Sequence, residues 1–115
     1  MENKSLPVEM TVLQQMFHDD RVIMRRFGFK FIEVADQTLC EMKLAQINHD
    51  LPELGRLGHK LKSAARTIGA LSFADLCELL ETANSNNDWI AAETVMVQLP
   101  SLLDQITSQL NQEFA

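Results

Sequence analysis

His59, Lys62, Ser63 and Arg66 fall on one side of a helical wheel drawn at roughly 100° per residue. Leu54, Leu57, Leu61, Ala64, Ala65 and Ile68 gather on the other side, and Gly55 lies one turn before His59. A helix patterned this way buries its leucines and lifts one imidazole into solvent, among small residues and two cations. An exposed neutral imidazole nitrogen is a nucleophile at neutral pH, because the free group titrates at about 6.5. Lys62 and Arg66 should favour the neutral ring and then hold anionic oxygens by charge-assisted hydrogen bonds. The arrangement suits a histidine that receives a phosphoryl group and suits a core histidine poorly.

The elements that must position this helix are themselves helical. The chain has 115 residues, enough for one domain with one real core. Four glycines, three prolines, no tyrosine and abundant Leu, Ala, Met, Glu and Gln argue against an all-β fold. A first short helix is predicted from Pro7 to about Phe17, with Ser5 as its cap and Pro7 in its first turn. Asp19 and Asp20 break the pattern, and Asp20 or its neighbour can cap a long second helix over about 21–47. Its apolar stripe is Ile23, Phe27, Phe31, Val34, Thr38, Met42 and Ala45. Asp50 and Glu53 resemble a capping box for the third helix, with Pro52 in its first turn and an end near Gly69.

Ser72 and Asp75 are candidate caps of a fourth helix with the stripe Phe73, Leu76, Cys77, Leu80 and Ala83. Residues 84–88 form a polar loop by composition. Asp88 can cap a last helix that Pro100 should bend or split. Amphipathic helices with short connections pack as an antiparallel four-helix bundle, here with a short additional N-terminal helix. No repeat, low-complexity stretch or interdomain linker interrupts residues 1–115.

The net charge of −6 argues against nucleic acid as a partner. Cys40 and Cys77 sit in apolar periodic segments and read as small core residues in a reducing compartment. No apolar run approaches the roughly 20 residues that span a bilayer. The N-terminus lacks a signal-peptide apolar stretch. A cytoplasmic protein is expected. The Met1 start and the capped first helix lean towards a free-standing chain over an excised kinase domain.

Blander readings compete. A lone surface histidine is ordinarily inert, and His18 and His49, at helix ends, read that way. His49, His59, Asp50 and Glu53 match no i, i+4 metal pair, so no metal is expected. Arg25, Arg26 and Lys30 read as a solvated basic face, and the six methionines as core filler.

The segment His59-Lys60-Leu61-Lys62-Ser63-Ala64-Ala65-Arg66-Thr67-Ile68-Gly69 resembles the motif of histidine phosphotransfer (HPt) domains of bacterial phosphorelays. Those domains have a histidine, a lysine three residues on, small neighbours and a glycine ten residues on, here His59, Lys62, Ser63 and Gly69. The similarity extends over about residues 6–110. It implies that His59 accepts a phosphoryl group and that Glu81, on the next helix, faces it. Glu81 would then accept a hydrogen bond from Nδ1 and leave Nε2 outward, while also favouring the imidazolium against the two cations. Ser63 stands where many members have glycine. Gly55, Gly58 and Ser63 would leave room for the partner's loops, and Arg66 would touch the phosphoryl group or the partner. The second helix, through Phe27 or Ile23, would add an apolar docking patch.

By the same resemblance the partners are receiver domains of response regulators and of a hybrid sensor kinase. Mg²⁺ would sit on the receiver, and this chain would need no cofactor of its own. Nothing in the sequence could cleave ATP: a Gly-rich phosphate loop and a paired acidic metal site are both missing. The alternative is a non-transferring bundle that binds and regulates a receiver or kinase. A monomer is expected, because each apolar stripe can be used inside one bundle.

Overall fold

A computed structural model of the protein describes residues 6–115. Five helices follow one another: α1 (Met10–Met16), α2 (Arg21–Ile47), α3 (Leu51–Thr67), α4 (Leu71–Ser85) and α5 (Trp89–Glu113). There is no strand among the described residues. Helices α2 to α5 form the bundle, each packed on its chain neighbours, with α5 closing back on α2. α1 lies against α3. The core is one continuous cluster in which Leu54, Leu57, Leu61, Phe73, Leu80, Leu99 and Ile106 are fully buried. Phe31 meets Phe73 edge to face at 5.5 Å.

Three aspartates start three helices by the same device. Asp20, Asp50 and Asp88 each accept the backbone N–H three residues on, from Ile23, Glu53 and Ala91. The reciprocal half of the expected capping box is missing, because the Glu53 carboxylate turns to Arg56. The three turns between bundle helices are equally alike. His49, Gly69 and Asn87 take positive φ, and the next N–H reaches back to Ala45, Ala65 and Ala83 respectively. Such turns leave only three residues between one helix and the next and fix the antiparallel packing. His49 is held in its left-handed conformation with its ring stacked on Trp89 at 4.1 Å.

The departures from the sequence reading are local. Ser5 lies outside the described residues. α1 starts at Met10 with Glu9 as its N-cap, so Pro7 precedes the helix. Val8 is instead pinned to α5: its N–H donates to Gln109 Oε1 and its C=O accepts from Gln109 Nε2, both at 2.8 Å. Phe31, Thr38, Met42 and Ala45 of the expected α2 stripe are buried, but the first half of the helix turns Met24, Gly28 and Ala35 inward instead, leaving Ile23 half-buried and Phe27 46% exposed. Gly28 draws that row inward, because its missing side chain makes room for Leu110. α4 starts from Ala70, with Ser72 already inside the helix, and Asn84 and Ser85 belong to its last turn. α5 runs through Pro100 as one element, with the ring on its exposed side. Cys40 is exposed, while Cys77 is buried.

Candidate functional site

The site is built on the seam between α3 and α4. Gly55 and Gly58, three residues apart, both turn towards α4 and are buried there. A Cβ on Gly58 would lie 2.7 Å from the Cys77 carbonyl oxygen, and one on Gly55 would lie 2.9 Å from Asn84 Cβ. The absence of two side chains therefore lets the helix backbones approach closely. Expected to make room for a partner, these glycines make room for α4. Cys77 sits under that contact, and its burial pushes the thiol up to about 12, with the Glu81 charge adding to the effect.

Close approach lets a short carboxylate reach across. His59 projects outward with 68% of its side chain exposed, and Nδ1 meets Glu81 Oε2 at 2.9 Å. The other oxygen, Oε1, is shielded from solvent, and Lys62 Nζ lies 2.5 Å from it. One carboxylate thus bridges the imidazole and the ammonium. Lys62 holds the Glu81 carboxyl below its ordinary range against the opposing effect of desolvation, and His59 assists. With the carboxylate ionised, the ring nitrogen facing it must carry the hydrogen of that bond. Nδ1–H donates to Glu81, and Nε2 is the nitrogen left facing outward.

The seam continues as a ladder of alternating charge. Glu78, one turn before Glu81, stands 4.0 Å from Lys62 and 3.6 Å from Arg66. Lys62 is only 15% exposed in its side chain and is held between two carboxylates, so its contact is with Glu81 and not with the space in front of His59. Arg66, two turns past His59, is half exposed and paired with Glu78. Ser63, one turn past His59, is exposed, and its C=O accepts from Thr67 Oγ1. Gly69 lies outside the site. It is at the far end of α3, where its C=O accepts the Glu9 N–H at 2.8 Å and its φ of +83° makes the turn into α4.

Glu78 is the residue that sequence reasoning missed. Its spacing three before Glu81 places it on the same helix face, and that signal was available. A shallow cleft beside the imidazole is lined by Pro52, Gly55, Arg56, Glu81, Asn84 and Ser85. On the opposite flank of α3 an apolar groove runs between Phe27, Phe31 and Val34 of α2 and Ala64 and Ile68 of α3, with Lys30 at its edge. Phe27 stacks on Phe17 at 4.5 Å and remains half exposed there. Ile23 does not line the groove. Among the described residues no group of three or more His, Cys, Asp or Glu side chains is disposed to hold a metal ion. No described helix is long and apolar enough to cross a membrane.

No curated protein and no solved structure matches the chain. The Hpt domain family matches it over residues 30–112, a stretch that contains α3, α4, two thirds of α2 and all of α5 but its last residue. Members of that family are helical bundles that carry phosphoryl groups on histidine in phosphorelays and exchange them with receiver domains. With a match over well beyond half its length, on the bundle that holds His59 out at the α3–α4 seam, this chain belongs to the Hpt domain family.

Proposed function

We propose that the protein is a phosphoryl carrier that accepts the group on Nε2 of His59 from a receiver-domain aspartyl phosphate and passes it to the aspartate of another receiver. The observation that carries this reading is the exposed His59 ring, anchored through Nδ1 by Glu81 and presenting Nε2 to solvent.

In the forward step the Nε2 lone pair attacks phosphorus. The P–O bond to the aspartyl carboxylate breaks and that carboxylate leaves with its electron pair. The ring becomes an N-phosphoimidazolium, cationic and still protonated at Nδ1. Glu81 lies against the atom that carries this new charge, so its carboxylate stabilises the state in which the N–P bond has formed. Lys62 acts through Glu81: it keeps the carboxylate ionised and fixes its orientation. That makes Lys62 a positioning residue, and direct contact with phosphoryl oxygens is not needed. The return step is the reverse, and neutral imidazole leaves with its Nδ1 proton in place. The Mg²⁺ and the acidic pocket belong to the receiver, and docking geometry supplies most of the acceleration. The apolar groove of α2 and α3 offers the docking surface, with Arg56 and Lys60 on the solvent side of α3 to meet an acidic rim.

The test is transfer from a panel of phosphorylated receivers to the wild type and to His59→Gln. The wild type should take up a label that survives base and is lost in acid. His59→Gln should fold normally and take up none. A label of the same kind on His59→Gln would overturn the reading. Binding without any label would favour a regulatory module that docks a receiver and transfers nothing.

A further inference from the structure

Charge is divided sharply along this chain. Every Lys, Arg and His lies at or before Arg66, and the 49 residues from Thr67 to Ala115 contain seven Asp and Glu and no basic side chain. Because α2 and α3 form one side of the bundle and α4 and α5 the other, the sequence asymmetry becomes two opposed faces. Helices α2 and α3 carry nine of the ten Lys and Arg residues, whereas every charged side chain of α4 and α5 is acidic; of these, Glu78 and Glu81 pair with Lys62 and Arg66, and Glu113 with Arg21.

The acidic face is also where apolar side chains stand free of the core. Ile90 and Val97 are each 79% exposed and Leu79 is 50% exposed. Ile90, Val97 and Ser101 follow steps of seven and four, so they lie along one outward strip of α5. A groove beside that strip is lined by Leu76, Val97, Gln98, Ser101, Leu102 and Gln105. It shares Ser101 and Gln105 with a second groove that runs on to Leu6 and Pro7. The exposed carboxylates Glu93 and Asp104 flank the same stretch of α5. From Ile90 to Ser108 the strip is about 27 Å long, the length of a helix of about 18 residues.

We infer that the α4–α5 face is a second docking surface, and that its occupant is a basic amphipathic helix of another protein. Two packed helices present a ridge-lined groove that a third helix fits. Apolar anchors on the incoming helix would cover Leu79, Ile90 and Val97. Its Lys and Arg flanks would meet the exposed Glu93 and Asp104, on a helix that carries no basic residue of its own. The strip runs along α5, which takes no part in the α3–α4 seam that holds His59, so the chain could hold this partner and exchange phosphoryl groups at once. The inference does not depend on the chemistry at His59.

The probes are three synthetic peptides of about 18 residues. One has leucines at helical spacing and lysines elsewhere. One keeps the leucines and replaces lysine by glutamate. One keeps the lysines and replaces leucine by serine. Each is titrated calorimetrically against the whole chain, against Val97→Lys, and against Gln37→Lys, which adds the same charge on exposed α2. The leucine–lysine peptide should bind at least about tenfold tighter than the other two. Val97→Lys should weaken it about tenfold and Gln37→Lys less than about twofold. Equal losses in the two variants, equal binding of the serine peptide, or no binding would overturn the inference. So would sedimentation showing a dimer that Val97→Lys dissolves, which would give the face to a second copy of the chain.

Discussion

The two flanks of α3 are built in opposite ways. Towards α4 it presents Gly55, Gly58 and the ladder of His59, Lys62 and Arg66 against Glu81 and Glu78, closed tightly enough that a methyl group would collide with backbone. Towards α2 it presents Ala64 and Ile68 to an open groove walled by Phe27 and Val34. The closed flank fixes the ring: it sets which nitrogen carries the proton and which faces out. The open flank leaves apolar surface uncovered on the other side of the same helix. A carrier needs both, because its nucleophile must be rigid while its partner must come and go.

The largest effect is expected from breaking the closed flank. Gly58→Val would drive a side chain into the Cys77 carbonyl, which cannot rotate away, and should cost about 3 kcal/mol in urea denaturation. Gly28→Ala is the contrast on α2. Its Cβ would meet only the tip of Leu110, and the gain in helix propensity should leave stability within about 1 kcal/mol of wild type. Equal losses in the two would mean that the α3–α4 seam is not specially tight.

Next comes the anchor itself. Glu81→Gln keeps a hydrogen-bond acceptor but removes the charge beside the developing imidazolium. A charged hydrogen bond is worth roughly 1.5–3 kcal/mol, so single-turnover transfer to His59 should slow roughly ten- to a hundredfold. An unchanged rate would reduce Glu81 to a spacer.

On the open flank the effect should be smaller and of another kind. Phe27→Ala should raise the KM for a phosphorylated receiver about tenfold while kcat stays within about twofold, because docking is weakened and the chemistry is not. A fall in kcat alone would place Phe27 with the anchor.

The smallest effect is on acid stability. Glu81 titrates below its usual 4.5 in the folded chain, first because of Lys62. Its contribution is therefore complete above about pH 4.5 and is lost as pH falls through the lowered value. Urea titrations across pH 3–6 should show a shallower acid decline for Glu81→Gln than for wild type. Parallel declines would mean that the Lys62 contact adds nothing to folding.

Much of this was legible in the residues. The three aspartate caps, the extents of α2 and α3 and the pairing of His59 with Glu81 follow from local signals or from the family motif. What escaped depends on contacts between distant segments. Whether Gly55 and Gly58 serve a partner or a neighbouring helix depends on how close α4 comes, and no local pattern encodes that. The pairing of Lys62 with Glu81 and Glu78 escapes its own wheel, because both carboxylates stand on another helix. Cys40 was expected inside because α2 has apolar residues on several faces, and which row turns inward is decided by Gly28 meeting Leu110. Gly69 reads as part of the motif's surface, yet it is covered by the N-terminal segment at Glu9, sixty residues earlier in the chain.

The central claim is that Glu81 holds Nδ1 so that Nε2 of His59 takes the phosphoryl group. Long-range ¹H–¹⁵N correlation of ¹⁵N-histidine protein, before and after loading by a phosphorylated receiver, reads both ring nitrogens directly. The expected result is a proton on Nδ1 in both states and phosphorus bonded to Nε2 in the second. Phosphorus on Nδ1, or a His59 ring unchanged while label accumulates elsewhere, would contradict it.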